Sequence, residues 1–232
     1  MNLLALETAT ECCSVALSVN GELIVRSEYA PRRHAELLLP MCDAVLAEAG
    51  ISRRQLDAIA VGRGPGAFTG VRLAISAAQG MALALDLPVI PVSSLAALAL
   101  DAPHDRHPIL TVIDARMGEI YAGLFGRSSD GLVAAIGAET VGPADTLVLP
   151  QSGPWYVIGS GWDSYRETLL EQMQLAPVSA EGQRFPQAAG VVRLAARELA
   201  DGKGLAAEFA MPTYLRDKVA FTTRERAAAE HP

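Results

Sequence analysis

This sequence lacks clustered cations and has few cysteines, aromatics or histidines, and each shortage narrows what it can do. The net charge is −7 and no run of Lys or Arg stands out. Unaided binding to nucleic acid is therefore a poor fit, because neutralising phosphates takes grouped cations. Three cysteines in 232 residues fit a reducing compartment. Cys12 and Cys13 adjoin in a strand-like run and point to opposite faces, which reads as two buried thiols rather than a reactive pair. The apolar runs are cut by Asp86, Pro88 and Pro91, so no segment is expected to cross a membrane. The opening MNLLALETAT has no basic region and no small-residue cleavage site, which reads as no secretory leader. The four histidines, His34, His104, His107 and His231, include no i, i+4 pair. His104 and His107 stand near Asp101 and Asp105 in a polar stretch, where solubility is a plainer role than zinc binding. Ser160, in Gly159-Ser160-Gly161, lacks the elbow pattern of a nucleophile. A soluble cytoplasmic protein is expected, with one large or two small domains. Its 50% hydrophobic content is ample for a core.

What the sequence does have is centred on residues 61–94. Ala58 to Val61 is a short apolar run that ends in Gly62-Arg63-Gly64-Pro65-Gly66. Glycines tolerate positive φ and Pro65 fixes its own, so the turn is sharp and preset. Thr69 is the expected helix cap. From Val71 to Leu85 nearly every side chain is small or apolar, and the polar arc is Arg72, Ser76 and Gln79, with Leu83 among them. A helix so apolar is covered on more than one side. Val89 to Val92 is the next short strand.

The elements before this unit are strands at Leu3–Glu7, Cys12–Val19 and Glu22–Glu28, the last two joined by an Asn20-Gly21 hairpin signal. A helix from His34 to Ala49 carries an apolar stripe of Leu38, Cys42, Val45 and Ala49, widened by Leu37, Leu39, Met41 and Leu46. Gly50 closes it, and Pro40 costs it a hydrogen bond. Gln55 to Val61 is the strand that enters the turn. A polar linker, residues 101–108, separates a second half that repeats the opening theme. Its expected strands are Ile109–Ile113, Glu119–Phe125, Leu132–Val141 and Trp155–Gly159. Its expected helices are Trp162–Met173 and Pro186–Ala200, with Pro186 in the first helical position. Residues 210–215 are expected to return against the first lobe, and the tail 222–232 carries little that packs and reads as frayed.

Three features bear on chemistry. The Gly62–Ala67 turn matches the dinucleotide pattern G-x-G-x-x-A, with Asp86 about 20 residues on. Asp86 falls at a helix end, however, and not at the tip of the next strand. A structural turn is the plainer reading, and an anion site at the helix start stays open. Glu7-Thr8 ends the first strand, where a carboxylate can serve a phosphate or metal or simply be a solvated tip. Asp114, Arg116, Glu119 and Tyr121 cluster on the second half's first hairpin, as a binding site or as an internal ion pair.

Several strings together resemble the TsaB (YeaZ) family: Leu6-Glu7-Thr8-Ala9-Thr10, His34 to Pro40, Gly64 to Arg72, and Pro91 to Leu95. Asp114-Ala115-Arg116 and Pro212 to Arg216 extend the likeness to nearly the full length, and the Gly64–Arg72 string is the specific one. The resemblance implies an α/β fold of two actin-like (ASKHA, RNase H-like) lobes, over residues 1–100 and 109–221. It implies a non-catalytic partner of a TsaD-like catalytic subunit in making threonylcarbamoyladenosine in tRNAs that decode ANN codons. A TsaE-like ATPase in the complex, a homodimer when alone, and tRNA met only through the complex are further implications. TsaD-like proteins place two metal-binding histidines on one helical face. The matching positions here are Ser94 and Leu98, which cannot hold such a metal together. Ile113 to Arg116 stands where the sister protein has a glycine-rich phosphate hairpin. No catalytic residue, cofactor or metal is expected.

The apolar excess of the two first-lobe helices points to a pairing surface. Its expected residues are Leu38, Met41 and Val45 of one helix, and Arg72, Ser76, Gln79 and Leu83 of the other. Two enzyme alternatives stand beside this reading: an ATP-dependent small-molecule kinase, on fold alone, and a metallopeptidase.

Overall fold

A computed structural model describes residues 1–149, 153–173 and 175–216. The chain opens with an antiparallel meander of β1 (Asn2–Glu7), β2 (Cys12–Val19) and β3 (Glu22–Tyr29). Asn20 and Gly21 take φ of 52° and 89°, the two-residue turn that this dipeptide favours. α1 (His34–Ala49) ends at left-handed Gly50, as its sequence predicts. A short 3₁₀ turn over Arg53–Gln55 then occupies the expected beginning of the next strand. The Gln55 side chain closes that turn by accepting from the Ser52 N–H at 2.9 Å, so β4 (Ala58–Gly62) starts later. α2 (Phe68–Leu85), β5 (Val89–Val92) and α3 (Ser94–Ala99) complete this half. Thr69 lies inside the first turn of α2 and caps nothing; Ala67 is the capping position, with no side-chain bond. α3 was not foreseen, although Ser93 caps it in the usual way, its Oγ accepting from the Ala96 N–H at 3.1 Å.

The second half contains β6 (Ile109–Arg116), β7 (Glu119–Arg127), β8 (Val133–Ala135), β9 (Thr140–Pro143), β10 (Tyr156–Ile158), α4 (Ser160–Gln172), β11 (Ser179–Glu181) and α5 (Ala188–Ala200). The span 132–141, expected as one strand, is two. β8 pairs with the end of β7 and β9 with its beginning. Between them the Glu139 side chain leaves the edge to accept a hydrogen bond from Ser93. Gln187 is the capping position of α5, so Pro186 precedes that helix instead of starting it. β11 was not foreseen, and the tail 222–232 lies outside the described residues.

Both sheets share one plan. The first runs β3-β2-β1-β4-β5 and the second β11-β10-β6-β7-β8. In each, the first strand is central, antiparallel to the next strand on one side and parallel to the later one on the other. The repeat is one of element order, not of sequence. Side chains alternate across the first sheet. Leu4, Leu6, Val15 and Leu17 face α1 and α2, while Leu3, Ala5, Ala16 and Ile90 face α5. The return expected near residue 210 therefore begins with α5, whose Val191, Val192 and Ala195 cover the first sheet although the helix follows the second in sequence.

α2 departs from the expectation that no segment could cross a membrane. With 18 residues and a mean hydropathy of 1.3, it is long and apolar enough to cross a membrane by length and composition. Its Val71, Ala74, Ile75, Ala78 and Ala82 instead cover the first sheet.

The closest packing in this lobe is at the end of β1. A Cβ on Gly62 would collide with the Glu7 carboxyl, one on Gly66 with the Ala9 carbonyl, and one on Gly70 with the Thr8 carbonyl. The Ala67 N–H donates to the Ala9 carbonyl, and the Thr8 hydroxyl to that of Gly70, both at 2.7 Å. Gly70→Ala is expected to lose roughly 1–3 kcal/mol through overpacking. Gly80 sits in the same helix with nothing near a would-be Cβ. Gly80→Ala should instead gain roughly 0.5–1 kcal/mol. Urea unfolding of the two variants reads both signs, and equal effects would contradict this packing.

Candidate partner surface and interlobe cleft

A cleft of about 520 Å³ opens between the lobes, at the end of β1, the start of α2 and the end of β6. Gly66 and Ala67, at the end of the glycine turn, line it, and the turn's backbone behind them is engaged within the chain. The Arg63 N–H donates to the Val92 carbonyl at 2.8 Å, and the Ser94 N–H to that of Gly64 at 2.9 Å. Asp86 terminates the far end of α2 at φ 55°. An 18-residue helix separates it from the turn by about 27 Å, so the two parts of the dinucleotide pattern do not meet.

The acidic cluster of the second lobe resolves into internal pairing. Asp114 accepts from the Arg116 N–H at 2.7 Å and from its guanidinium at 3.1 Å. The hydroxyls of Ser164 and Tyr165 approach the same carboxylate at 3.2 and 3.4 Å. Arg116 also reaches Glu11 of the first lobe at 2.6 Å and so bridges the cleft. Arg116, Met117 and Gly118 all have positive φ, 64°, 58° and 81°, and the Asp114 contacts hold this turn. Glu119 pairs with Arg216, and Tyr121 lines the cleft wall. In the linker, Asp105 accepts from the Tyr156 hydroxyl and the His107 backbone N–H and lies 3.1 Å from the His107 Nδ1, which anchors that stretch on the second lobe.

Glu7 is fully buried and, among the described residues, has no cation beside it. Its carboxyl accepts from the Ala9 N–H and the Ser94 hydroxyl, each at 2.7 Å. Burial pushes the carboxyl above its ordinary value of 4.5, against the pull of those hydrogen bonds. Below pH 4.5 both the folded and unfolded chains hold the proton, and burial carries no ionic cost. Above it the unfolded chain ionises first, so stability falls with rising pH until the folded carboxyl ionises too. Glu7→Gln, which keeps an acceptor for Ala9 and a donor toward Ser94, should lack this loss. Its stability relative to the wild type is expected to rise as pH climbs above 4.5, and parallel unfolding curves across pH 4–8 would contradict the buried-acid account.

The residues expected to form a pairing surface separate into two groups. Leu38 and Val45 are 1% and 0% exposed and belong to the core beneath α1, so neither is open to a partner. The period-3.6 stripe that singled them out is the core-facing one. Met41 is half-buried against the same core. Arg72, Ser76, Gln79 and Leu83 do share one line of α2. Ser76 is exposed, and Leu83 is 77% exposed. Gln79 is engaged within the chain, its amide donating to the Ala210 carbonyl at 3.1 Å. The Arg72 guanidinium lies 3.1 Å over the Phe68 ring and 4.8 Å from that of Tyr214. A groove of about 390 Å³ between α1 and α2 adds Leu39, Gly80 and Ala84 to the same side. Sequence reasoning missed Phe68 and Tyr214 as parts of this face. The string from Pro212 to Arg216 was the available signal.

Ser94 and Leu98, on α3, are both fully buried, and the Ser94 hydroxyl is committed to Glu7.

A family profile described as "TsaD: tRNA N6-adenosine threonylcarbamoyltransferase" matches residues 25–223. The protein named tRNA threonylcarbamoyladenosine biosynthesis protein TsaB from Escherichia coli is 38% identical over 227 residues, covering 95% of this chain and 97% of its own. Its namesake from Haemophilus influenzae is 36% identical, covering 94% and 95%. The solved structure of YeaZ from Pseudomonas aeruginosa superimposes with a TM-score of 0.85 at 42% identity, over 92% of this chain and 99% of that one. The two sheets are thus the lobes of an actin-like α/β fold, and the chain belongs to the TsaB (YeaZ) family.

Proposed function

We propose that this chain is the non-catalytic subunit that pairs with a TsaD-like catalytic subunit to form threonylcarbamoyladenosine in ANN-decoding tRNAs. The observation that carries the reading is the exposed line of α2, where Leu83 stands uncovered beside Ser76 and Gly80 in a chain whose relatives bear the name of that modification. A large apolar side chain left out of a core beside small residues suits close approach by another helix. The interlobe cleft supports a scaffold role over a chemical one. Its acids Glu11 and Asp114 are both paired with Arg116, and Ser94 and Leu98 are buried in packing. The protein acts in the cytoplasm, meets tRNA only through the complex, shares that complex with a TsaE-like ATPase, and forms a homodimer when alone.

Depleting the protein is expected to remove threonylcarbamoyladenosine from ANN-decoding tRNAs, read by mass spectrometry of nucleosides. An unchanged level of the modification would overturn the assignment. Leu83→Glu tests the surface. On an exposed site it should change fold stability by no more than roughly 0.5 kcal/mol. At an interface it buries an unpaired carboxylate and should weaken pairing at least tenfold, about 1.4 kcal/mol. Calorimetric titration with the catalytic subunit decides between these, and wild-type affinity would place the surface elsewhere.

A further inference from the structure

Beyond α5 the chain does more than return. Residues 205–216 lie alongside α2 and run antiparallel to it. Leu205 exchanges two backbone hydrogen bonds with Val89, 2.8 and 3.0 Å, just past the end of the helix. Ala210 accepts from Gln79 midway, and Tyr214 stacks on Arg72 near the helix start. The Thr213 N–H then donates to the Arg63 carbonyl at 2.9 Å. Arg216 reaches the second lobe, donating to the Ala115 carbonyl at 3.1 Å and pairing with Glu119. The strap is anchored through small groups, with Ala207 and Ala210 only 8% and 0% exposed. Its large side chains face outward instead: Phe209 is 66%, Met211 60% and Tyr214 54% exposed. Covering the core does not require them there.

We propose that the strap 205–216 is part of the surface that receives the catalytic subunit, forming a second ridge beside α2. The proposal rests on the reading above that such a subunit is the partner. Area supports it: the outer face of α2 is roughly 27 Å by 10 Å. That is about a third of the roughly 800 Å² per side that a stable interface takes. A second ridge of similar length, with the α1–α2 groove on the other side, supplies much of the remainder. The charge pattern also suits a helix-bearing partner. Exposed Asp86 and Glu208 lie toward the C-terminal end of α2, Arg72 lies toward its start, and apolar groups stand between them. A partner helix of like polarity laid antiparallel meets each charge with its opposite. The matched family profile spans residues 25–223, so a catalytic subunit built on that domain carries counterparts of both α2 and the strap.

The test uses the full chain with Phe209→Glu or Met211→Glu, beside Leu83→Glu, titrated with the TsaD-like subunit while thermal unfolding is followed. Each strap variant is expected to bind at least tenfold more weakly with its unfolding unchanged. If a glutamate lowers the unfolding midpoint, Met211→Ala, which removes the anchor without adding charge, is titrated in its place and should also weaken binding. Wild-type affinity in the strap variants, with Leu83→Glu impaired, overturns the strap proposal and leaves the α2 surface standing. Wild-type affinity in all of them overturns both. Strap variants that change only self-association of the lone chain assign this ridge to a second copy, and the proposal falls.

Discussion

The backbone of Thr8 and Ala9 meets the glycines of the 62–70 turn with no side chain between them, and the first lobe depends on that contact. It fixes where β4 ends, where α2 begins and how closely the helix lies on the sheet. Three glycines serve it because a carbonyl or carboxyl already fills the place of each Cβ. The Ala67 and Thr8 hydrogen bonds then satisfy the Ala9 carbonyl and the Thr8 hydroxyl, both on buried residues. The turn that matches the dinucleotide pattern in sequence thus has its glycine Cβ positions occupied by the chain itself.

The same constraint shapes the rest of the site. With β1 pressed onto the turn, the Glu7 carboxyl is sealed under Ser94 and accepts hydrogen bonds without contacting solvent. Across the cleft, Arg116 pairs with Asp114 of its own lobe and with Glu11 of the other. A cleft whose described acids are paired with an arginine fits the proposed role of presenting a surface. The proposed partner surface is the uncovered side of α2 together with the segment that runs beside it.

Much of the fold was legible in the sequence because its signals are local. Asn20-Gly21 marks a hairpin by its positive φ, Gly50 ends α1, and period-two and period-3.6 patterns locate most strands and helices. The misses have physical causes too. Gln55 reads as strand but its side chain closes a turn on Ser52. Residues 132–141 read as one strand but change partners along β7. β11, at Ser179–Glu181, is three half-buried residues whose place is set by pairing with β10. The partner surface was only half legible. Periodicity locates apolar faces but not which face the core takes, so Leu38 and Val45 were assigned outward, whereas Leu83 stood out as the apolar member of a polar arc. Phe209, Met211 and Tyr214, the proposed second ridge, carry no local signal in the sequence, because what marks them is lying exposed beside α2, more than 120 residues away.

The central claim is that this protein works through the outer face of α2 and not through the cleft between its lobes. Hydrogen exchange of the full chain, alone, with ATP and with the catalytic subunit, tests it most directly. The account predicts that the catalytic subunit slows exchange over residues 68–85 and 205–216, while ATP alone leaves residues 113–121 unchanged. Protection of residues 113–121 by ATP alone, with residues 68–85 indifferent to the catalytic subunit, would contradict it.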